Sequence, residues 1–377
     1  MARRERKRRV ADLCSAMERI APTWAAAEWD NVGLLAGGED WPLRRALLTI
    51  DLTPVVLEEA AGARCDAIVA YHPPIFRAVT RMIPSPRTQE GVAAAALANR
   101  IAVYSPHTAL DAAPGGTNGT LAELCGLIDT APFEAATPPR REAKLVTFVP
   151  PKSLEKVADA LFAAGAGRIG DYERCSYRLD GVGTFFGADS TTPVVGRKGR
   201  LERVRETRLE VALPVSRIAD VAAALKRAHP YEEPAFDIYP LATPPDARSG
   251  QGRVGRFAKP TTAAKLAARL RRLLKVRGVA IVGRVSAGVS RGIVCAGAAG
   301  SLPFEIADRP CGPGDVVVTG EIRHHDALRY QRIGAAAVAL GHWASERPVL
   351  APLASRLRAA LPGTSIIISR RDCDPFQ

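Results

Sequence analysis

Short apolar runs alternate with amphipathic stretches through the first third of the chain. Residues 47–50, 67–70 and 101–104 are apolar and predict buried strands. Pro54 opens an amphipathic segment between the first two, and residues 91–99 form a second one. Strands that alternate with helices predict a parallel sheet, in which ligands bind beyond the carboxyl ends of the strands.

The middle of the chain has a different pattern. Residues 145–149 and 208–213 are each followed by proline and by a helix with an i, i+3, i+7 apolar stripe. A strand-like run, at 181–186 and at 235–239, follows each of these helices. Two such units in tandem predict a ferredoxin-like split βαβ domain.

The first pattern then resumes, with apolar strands at 279–282, 293–296 and 316–319. The sequence therefore predicts an α/β body of two similar lobes, split by an inserted ferredoxin-like domain. The predicted boundaries are 1–143 for the first lobe, 144–250 for the insert and 251–377 for the second lobe. Segments rich in proline and arginine, at 137–142 and 243–250, bracket the insert, as is typical of domain boundaries.

Composition narrows the class of protein. Apolar residues make up 47% of the 377 residues, but no uncharged run is long enough for a membrane helix. The basic head at residues 1–9 is followed by Asp12, Glu18 and Arg19, whereas a secretory signal would continue with an apolar stretch. The seven scattered cysteines contain no C-x-x-C pair, which excludes a zinc knuckle and predicts a cytoplasmic protein without disulfides.

The formal charge of +13 has two interpretations. A positive field attracts nucleic acid or another polyanion. Alternatively, arginines decorate solvated helix faces, as at residues 265–272. Because no recognition-helix, zinc-finger or aromatic-platform motif accompanies the charge, we favour the second interpretation and expect no sequence-specific nucleic-acid binding.

The six histidines carry the candidate chemistry. His107 and Asp111 are four residues apart, and so are His342 and Glu346, a spacing that places both side chains on one helix face. His72 follows another predicted strand and could approach the same metal ion from a third side. A mixture of imidazole and carboxylate suits zinc, iron or manganese better than magnesium.

Each histidine alone could be an ordinary loop or capping residue, but several on one rim of a sheet favour a metal site. Glu321 and His324 follow the strand at 316–319 and belong to the same layer, whereas His229 is expected to be structural. Glycine-rich segments at 113–118 and 296–301 could cradle an anion or form tight turns.

Five motifs together resemble the Nif-three-like family, also called GTP cyclohydrolase 1 type 2 homologues or dinuclear-metal hexameric proteins. They are residues 27–33, 71–76, 107–116, 319–325 and 341–346. The insert resembles the PII-like or CutA-like extra domain of the longer members through residues 181–185 and 228–234.

This resemblance implies a ring-shaped homohexamer with two metal ions per subunit that are bridged by carboxylates. The positions that match family ligands are His72, Asp111, His342 and Glu346. Tyr71 stands where the family often has the first histidine of His-His-Pro, so one metal position lacks its usual nitrogen. We therefore expect one or two divalent ions per subunit.

Around these ligands, the resemblance leaves His107, His324 and Glu321 as residues that orient ligands or transfer protons. Together these features predict a metal-dependent hydrolase of a nucleotide-like or phosphorylated small molecule, since a metal acidifies water and polarises the scissile group. The alternative is a non-enzymatic, metal-stabilised hexameric scaffold or regulator that binds protein or nucleic-acid partners. An open coordination position favours the enzyme, and a saturated site favours the scaffold.

Overall fold

Helices and strands alternate along most of the chain. The computed structural model describes residues 7–306 and 310–376, so most of the basic head at residues 1–9 lies outside the described residues. The helices are α1 (Val10–Ile20), α2 (Pro54–Gly62), α3 (Gln89–Ala98), α4 (His107–Ala112), α5 (Thr117–Cys125), α6 (Leu154–Ala163), α7 (Ile218–Ala228), α8 (Ala263–Leu274), α9 (Leu302–Glu305), α10 (His324–Arg332), α11 (His342–Glu346) and α12 (Leu350–Ala360). The strands are β1 (Gly33–Ala36), β2 (Arg45–Thr49), β3 (Ala67–Ala70), β4 (Ala102–Ser105), β5 (Leu127–Ala135), β6 (Glu142–Val149), β7 (Tyr177–Phe186), β8 (Leu201–Pro214), β9 (Phe236–Pro240), β10 (Gly250–Thr262), β11 (Ala280–Val282), β12 (Gly288–Ala298), β13 (Asp315–Glu321), β14 (Ala336–Ala339) and β15 (Ser365–Ile368).

The first sheet has five strands in the order β1-β4-β3-β2-β15. The three strands predicted from the early apolar runs form its centre, and they are parallel to one another. Every residue of β3 is buried, as expected for a strand covered on both faces. The helix predicted at Pro54 begins there because Thr53 caps it by accepting a hydrogen bond from the Val56 N–H.

The second sheet has six strands in the order β11-β14-β13-β12-β10-β5. Its β12, β13 and β14 are parallel, whereas β10 and β5 pair antiparallel at one side and β11 pairs antiparallel at the other. The buried face of α8, which includes Leu266 and Leu270, packs on this sheet. The protein is thus a mixed α/β fold with several sheets, as predicted.

Each of the two sheets contains one strand from the opposite end of the sequence. β5 comes from the amino-terminal part of the sequence and pairs with β10 of the second sheet. β15 comes from the carboxyl-terminal part and pairs with β2 of the first sheet. The carboxyl ends of β2 and β3 in one sheet, and of β12, β13 and β14 in the other, carry the residues of the candidate site described below.

The residues separate into two compact units, one formed by Pro138–Pro244 and the other by the remainder of the chain. The smaller unit contains an antiparallel sheet in the order β7-β8-β6-β9. Its helices α6 and α7 bury their apolar stripes against alternate residues of β6 and β8, such as Leu145 and Leu209. Among the described residues, the helices are too short or too polar to cross a membrane.

Candidate metal centre

His72 enters the site from the carboxyl end of β3. Its backbone N–H donates to the carbonyl of Ile50 at 3.0 Å, which continues the pairing of β3 with β2. The Nδ1 atom of the ring lies 2.9 Å from Oδ1 of Asp51, which lies two positions beyond the end of β2. This contact orients the imidazole and leaves Nε2 facing the second sheet, as is common for histidine ligands of metals.

His342 and Glu346 enter from the second sheet through the short helix α11, in which their four-residue spacing places both on one face. The Ser345 hydroxyl donates to the His342 carbonyl at 2.7 Å and accepts the Gly297 N–H at 2.8 Å. The start of α11 is therefore tied to the end of β12. Nδ1 of His342 lies 3.4 Å from a carboxylate oxygen of Glu321, at the end of β13.

The three side chains converge on one point. One donor atom from each of His72, His342 and Glu346 lies within 4.8 Å of the others. Nε2 of His342 is 3.2 Å from Oε1 of Glu346, and Nε2 of His72 is 3.3 Å from Oε2. Despite that distance, Oε2 is buried and has no hydrogen-bond partner in the part of the chain that the structure describes. Because buried carboxylate oxygens are normally satisfied, this group could hold a divalent metal.

Gly297 makes room for this arrangement. Its φ of +65° lies in the left-handed region, and a Cβ built there would lie 2.4 Å from Oε1 of Glu346 and 3.2 Å from Nε2 of His342. Glycine is therefore required both by the backbone conformation and by the close approach of the carboxylate. The glycine-rich segment at 296–301 thus forms one wall of the site.

The electrostatic field at this point favours cations. Burial alone would lower the pKa of His72, but the carboxylates of Asp51 and Glu346 raise it to about 10. The contact with Glu346 also raises the pKa of His342. Burial opposes ionisation of Glu346, yet the two imidazoles lower its pKa below the ordinary value. A divalent ion would replace the protons that this field otherwise holds on the imidazoles.

Asp111 lies beside this group but is turned toward Tyr71. The Tyr71 hydroxyl donates to Oδ1 of Asp111 at 2.5 Å. Burial and the nearby Glu346 raise the pKa of Asp111 to about 6, and burial together with Asp111 raises the pKa of Tyr71 well above its ordinary value. Tyr71 is therefore a neutral phenol. Its hydrogen bond engages the Asp111 carboxylate, which the sequence predicted to be a metal ligand.

His107 stands next to the group and is held by Asp30. Nδ1 of the ring lies 2.8 Å from Oδ1 of Asp30, whose other oxygen accepts the Thr108 N–H at 3.1 Å. Although burial raises the pKa of Asp30, the hydrogen bonds from His107 and Thr108 lower it below the ordinary value. The His107 ring centroid is 5.4 Å from that of His72, and its backbone has a φ of +23°, a strained conformation of the kind that clusters at functional sites.

The remaining histidines are not brought into the group. His324 is exposed at the start of α10, and no hydrogen bond or ion pair joins it to His72 or His342 within the described ranges. His229 is buried in the smaller unit and bonds to the backbone there, which gives it a structural role. Its hydrogen bonds explain why a histidine outside the metal-site rim is nevertheless buried.

Sequence reasoning did not identify Asp51 or Gly297 as parts of the site. Asp51 lies one residue beyond a predicted strand, but nothing in the local sequence shows that this carboxylate contacts and orients His72. Gly297 was included in a glycine-rich segment whose role was left open between an anion cradle and a tight turn. The contact with Glu346 comes from a segment about fifty residues away, so local sequence does not encode it.

Comparison with known proteins identifies the family of this chain. A family model described as Duf34/NIF3 (NGG1p interacting factor 3) matches residues 8–375. The chain belongs to the DUF34/NIF3 family. The family resemblance predicted from the sequence motifs is thereby confirmed.

Relatives of this DUF34/NIF3 chain are named GTP cyclohydrolase 1 type 2 homolog. One from Mycobacterium bovis is 36% identical over 359 residues, which cover 93% of this chain and 92% of the relative. Another from Bacillus subtilis is 36% identical over 363 residues and covers 95% of each chain.

Solved structures of similar proteins match along the full length. A Bacillus cereus protein related to NIF3 is 32% identical with a TM-score of 0.66, covering 99% of this chain and 100% of that one. A Staphylococcus aureus protein is 25% identical with a TM-score of 0.79, covering 98% and 99%. The fold described above is therefore the fold of this family.

Replacing Asp51 with asparagine is expected to weaken metal binding about 10- to 100-fold, because the partner that orients a histidine ligand contributes that much to affinity. The ligand atoms themselves remain in place. Competition with a metal-sensitive dye measures the affinity. The matched control is Asp40→Asn, which removes an exposed carboxylate of the same unit and should leave the affinity unchanged. Equal affinities for the wild type and Asp51→Asn would exclude an orienting role.

Proposed function

We propose that this protein is a divalent-metal-dependent hydrolase whose principal metal ion is held by His72, His342 and Glu346. The buried Glu346 oxygen without a hydrogen-bond partner carries this proposal. Two imidazoles and one carboxylate suit zinc, iron or manganese. Three protein ligands leave a coordination position for water or substrate, which favours an enzyme over a saturated structural site.

A second metal position would be weaker in this chain. Asp111 is the further carboxylate that the family resemblance offers as a ligand, but it accepts a hydrogen bond from Tyr71. A metal ion at that position would have to break this bond and bind a phenol whose pKa is raised by burial. We therefore propose one ion per subunit at rest, with a second ion only at high metal concentration.

Replacing Tyr71 with histidine is expected to raise the metal-to-protein ratio from about one toward two after dialysis against a mild chelator, because neutral imidazole binds divalent ions without losing a proton at pH 7. Tyr71→Phe should keep the first ion, since His72, His342 and Glu346 are unchanged. Elemental analysis of the dialysed proteins measures the ratio. Complete loss of metal from Tyr71→Phe would show that the tyrosine is itself a ligand and that the order of the two positions is wrong.

The residues around the proposed ion suit hydrolysis. A bound divalent ion lowers the pKa of water and polarises the scissile group. Because Asp30 engages Nδ1 of His107, Nε2 is the ring nitrogen that would accept a proton from the attacking water. The oxygen of that water would bond to the phosphorus or carbon under attack, and His107 would return the proton to the leaving group as its bond breaks.

The surroundings of His107 suggest a planar substrate. Trp29 lies with its ring centroid 6.0 Å from that of His107 and 5.9 Å from that of Phe76. Trp29 is 64% exposed and Phe76 is 44% exposed, and large exposed aromatic surface of this kind is typical of a binding site. A nucleotide-like substrate could stack its base here, and Arg77, exposed on the same loop, could attract its phosphate.

The test is a substrate panel with the zinc-, iron- and manganese-loaded protein. It comprises GTP, nucleoside monophosphates and p-nitrophenyl phosphate, with phosphate release and loss of purine absorbance as the readouts. We expect metal-dependent turnover of at least one nucleotide and its loss in Glu346→Gln. A loaded protein with a saturated ion and no turnover of any member would instead support the metal-stabilised scaffold or regulator.

We further propose a cytoplasmic homohexamer with two α/β lobes and a ferredoxin-like insert. The strand order of the first two sheets supports the two lobes, and the order β7-β8-β6-β9 with α6 and α7 supports the insert. The ring assembly rests on the family resemblance. Mass photometry of the purified protein tests it: a hexameric mass is expected, and a stable monomer would contradict it.

A further inference from the structure

The smaller unit contains a cavity of about 790 Å³. It lies on the face of the sheet opposite α6 and α7, because Leu209 and its alternate neighbours in β8 pack on those helices while Glu206 and Arg208 point the other way. Segments 190–195 and 231–235 border it. The volume is within the range of about 300 to 1,000 Å³ that is typical of sites for small organic molecules.

Glycines in β7 keep the floor of the cavity open. Gly181 pairs with Glu206 across the two strands, and Gly183 is the next residue of β7 on that face. A Cβ at Gly183 would lie 2.1 Å from Oε2 of Glu206. Because neither glycine has a side chain, the Glu206 carboxylate extends across β7 and faces the cavity.

Tyr231 presents a buried hydroxyl to the same space. The Tyr231 N–H donates to Nδ1 of His229 at 3.1 Å, and Nε2 of His229 donates to the Phe148 carbonyl at 3.1 Å. Burial lowers the pKa of His229, so the ring is neutral and fixes the turn that carries Tyr231. Burial and the adjacent Glu206 carboxylate raise the pKa of Tyr231, so its hydroxyl lies beside Glu206, although no hydrogen bond of good geometry satisfies it among the residues that the structure describes.

The charge of the cavity is opposite to that of the chain as a whole. One guanidinium lines it, that of Arg208, and Nε of this residue already donates to Glu210 at 2.8 Å. The carboxylates on this face are those of Glu206, Glu232 and Glu233, whereas Asp180 accepts the Thr207 hydroxyl on the helix face of the sheet. The apolar part of the lining comes from Phe148, Leu179, Phe185, Val194 and Val195.

We propose that this cavity binds an organic amine, a molecule with an apolar body and a protonated amino group. The body contacts the apolar wall, and the ammonium group donates hydrogen bonds to Glu206 and to the Tyr231 hydroxyl oxygen. The Tyr231 hydroxyl can turn its own hydrogen toward the adjacent Glu206 carboxylate, which leaves the lone pairs of its oxygen for the ammonium group. An anion of the same shape would meet the carboxylates and be rejected. This site is independent of the metal centre.

Two probes with the same ring and opposite charge test the proposal on the full chain. They are α-naphthylmethylamine, which is protonated at pH 7, and α-naphthylacetate. Isothermal titration calorimetry should show saturable binding of the amine at least about tenfold tighter than that of the carboxylate. Tyr231→Phe and Glu206→Gln should each weaken binding of the amine by about tenfold.

Matched controls are Tyr177→Phe and Glu173→Gln, which change exposed residues of the same unit that do not line the cavity. Both should bind the amine as the wild type does. Circular dichroism and thermal unfolding verify that each variant is folded. The proposal is overturned if the wild type shows no saturable binding of the amine, if both probes bind equally, or if the Tyr231 and Glu206 variants bind like the controls.

Discussion

Glu346→Gln is expected to remove nearly all divalent metal from the purified protein, with a loss of affinity of more than about 100-fold. Changes to residues that merely orient a ligand cost about 10- to 100-fold, and Glu346 supplies the only carboxylate of the three-residue group. Glutamine has nearly the same shape, so the packing around this buried position is kept while the negative charge is lost. Elemental analysis after expression in metal-supplemented medium measures the outcome.

The control for this change is Glu123→Gln, at an exposed position of the same unit, which should retain wild-type metal. Thermal unfolding gives a second readout. Metal at 100 times its dissociation constant stabilises a protein by about 2.7 kcal/mol, so added metal should raise the unfolding temperature of the wild type and of the control only. A Glu346→Gln protein that keeps its metal would show that this carboxylate is not a ligand.

Gly297→Ala is expected to reduce both metal affinity and stability. The new methyl group would approach Oε1 of Glu346 to 2.4 Å, so the carboxylate must move away from the two imidazoles. The left-handed backbone conformation adds about 1 to 2 kcal/mol for any residue with a Cβ. We expect affinity to fall at least about tenfold and the free energy of unfolding to fall by more than the backbone cost alone.

Gly300→Ala separates these two causes. Gly300 lies three residues further along and also has a positive φ, of +53°, but a Cβ there would meet nothing within 4 Å. It should lose the backbone contribution to stability and keep wild-type metal affinity. Urea unfolding and dye competition measure the two quantities. If both alanine variants bind metal equally well, the close approach of Gly297 to Glu346 has no role in the site.

The strands at the centre of the first sheet could be predicted from the sequence because they are short, apolar and separated by capped helices. β3, for example, was predicted at the residues it occupies. β5 and β10, on one side of the second sheet, were not predicted. β5 and β10 contain exposed and intermediate positions along much of their length, so their sequences lack the continuous apolar run of a central parallel strand. They also pair across a long stretch of intervening chain, which no local pattern encodes.

The candidate site was likewise predictable only where its signal is local in the sequence. The four-residue spacing of His342 and Glu346 is a local signal, and it could be read directly. The contact of Tyr71 with Asp111 joins positions forty residues apart and decides which carboxylate is free to bind a metal ion. Such pairings depend on the order of the strands in the sheet, so the structure was needed to show that Asp111 already has a partner.

The central claim is that one divalent ion binds between His72, His342 and Glu346. Crystals of the zinc-loaded protein, measured on both sides of the zinc absorption edge, test it most directly. We predict one strong anomalous peak per subunit, at about 2.0 to 2.2 Å from Nε2 of each histidine and from a carboxylate oxygen of Glu346. No peak at this point, or a peak elsewhere with these three side chains unliganded, would contradict the account.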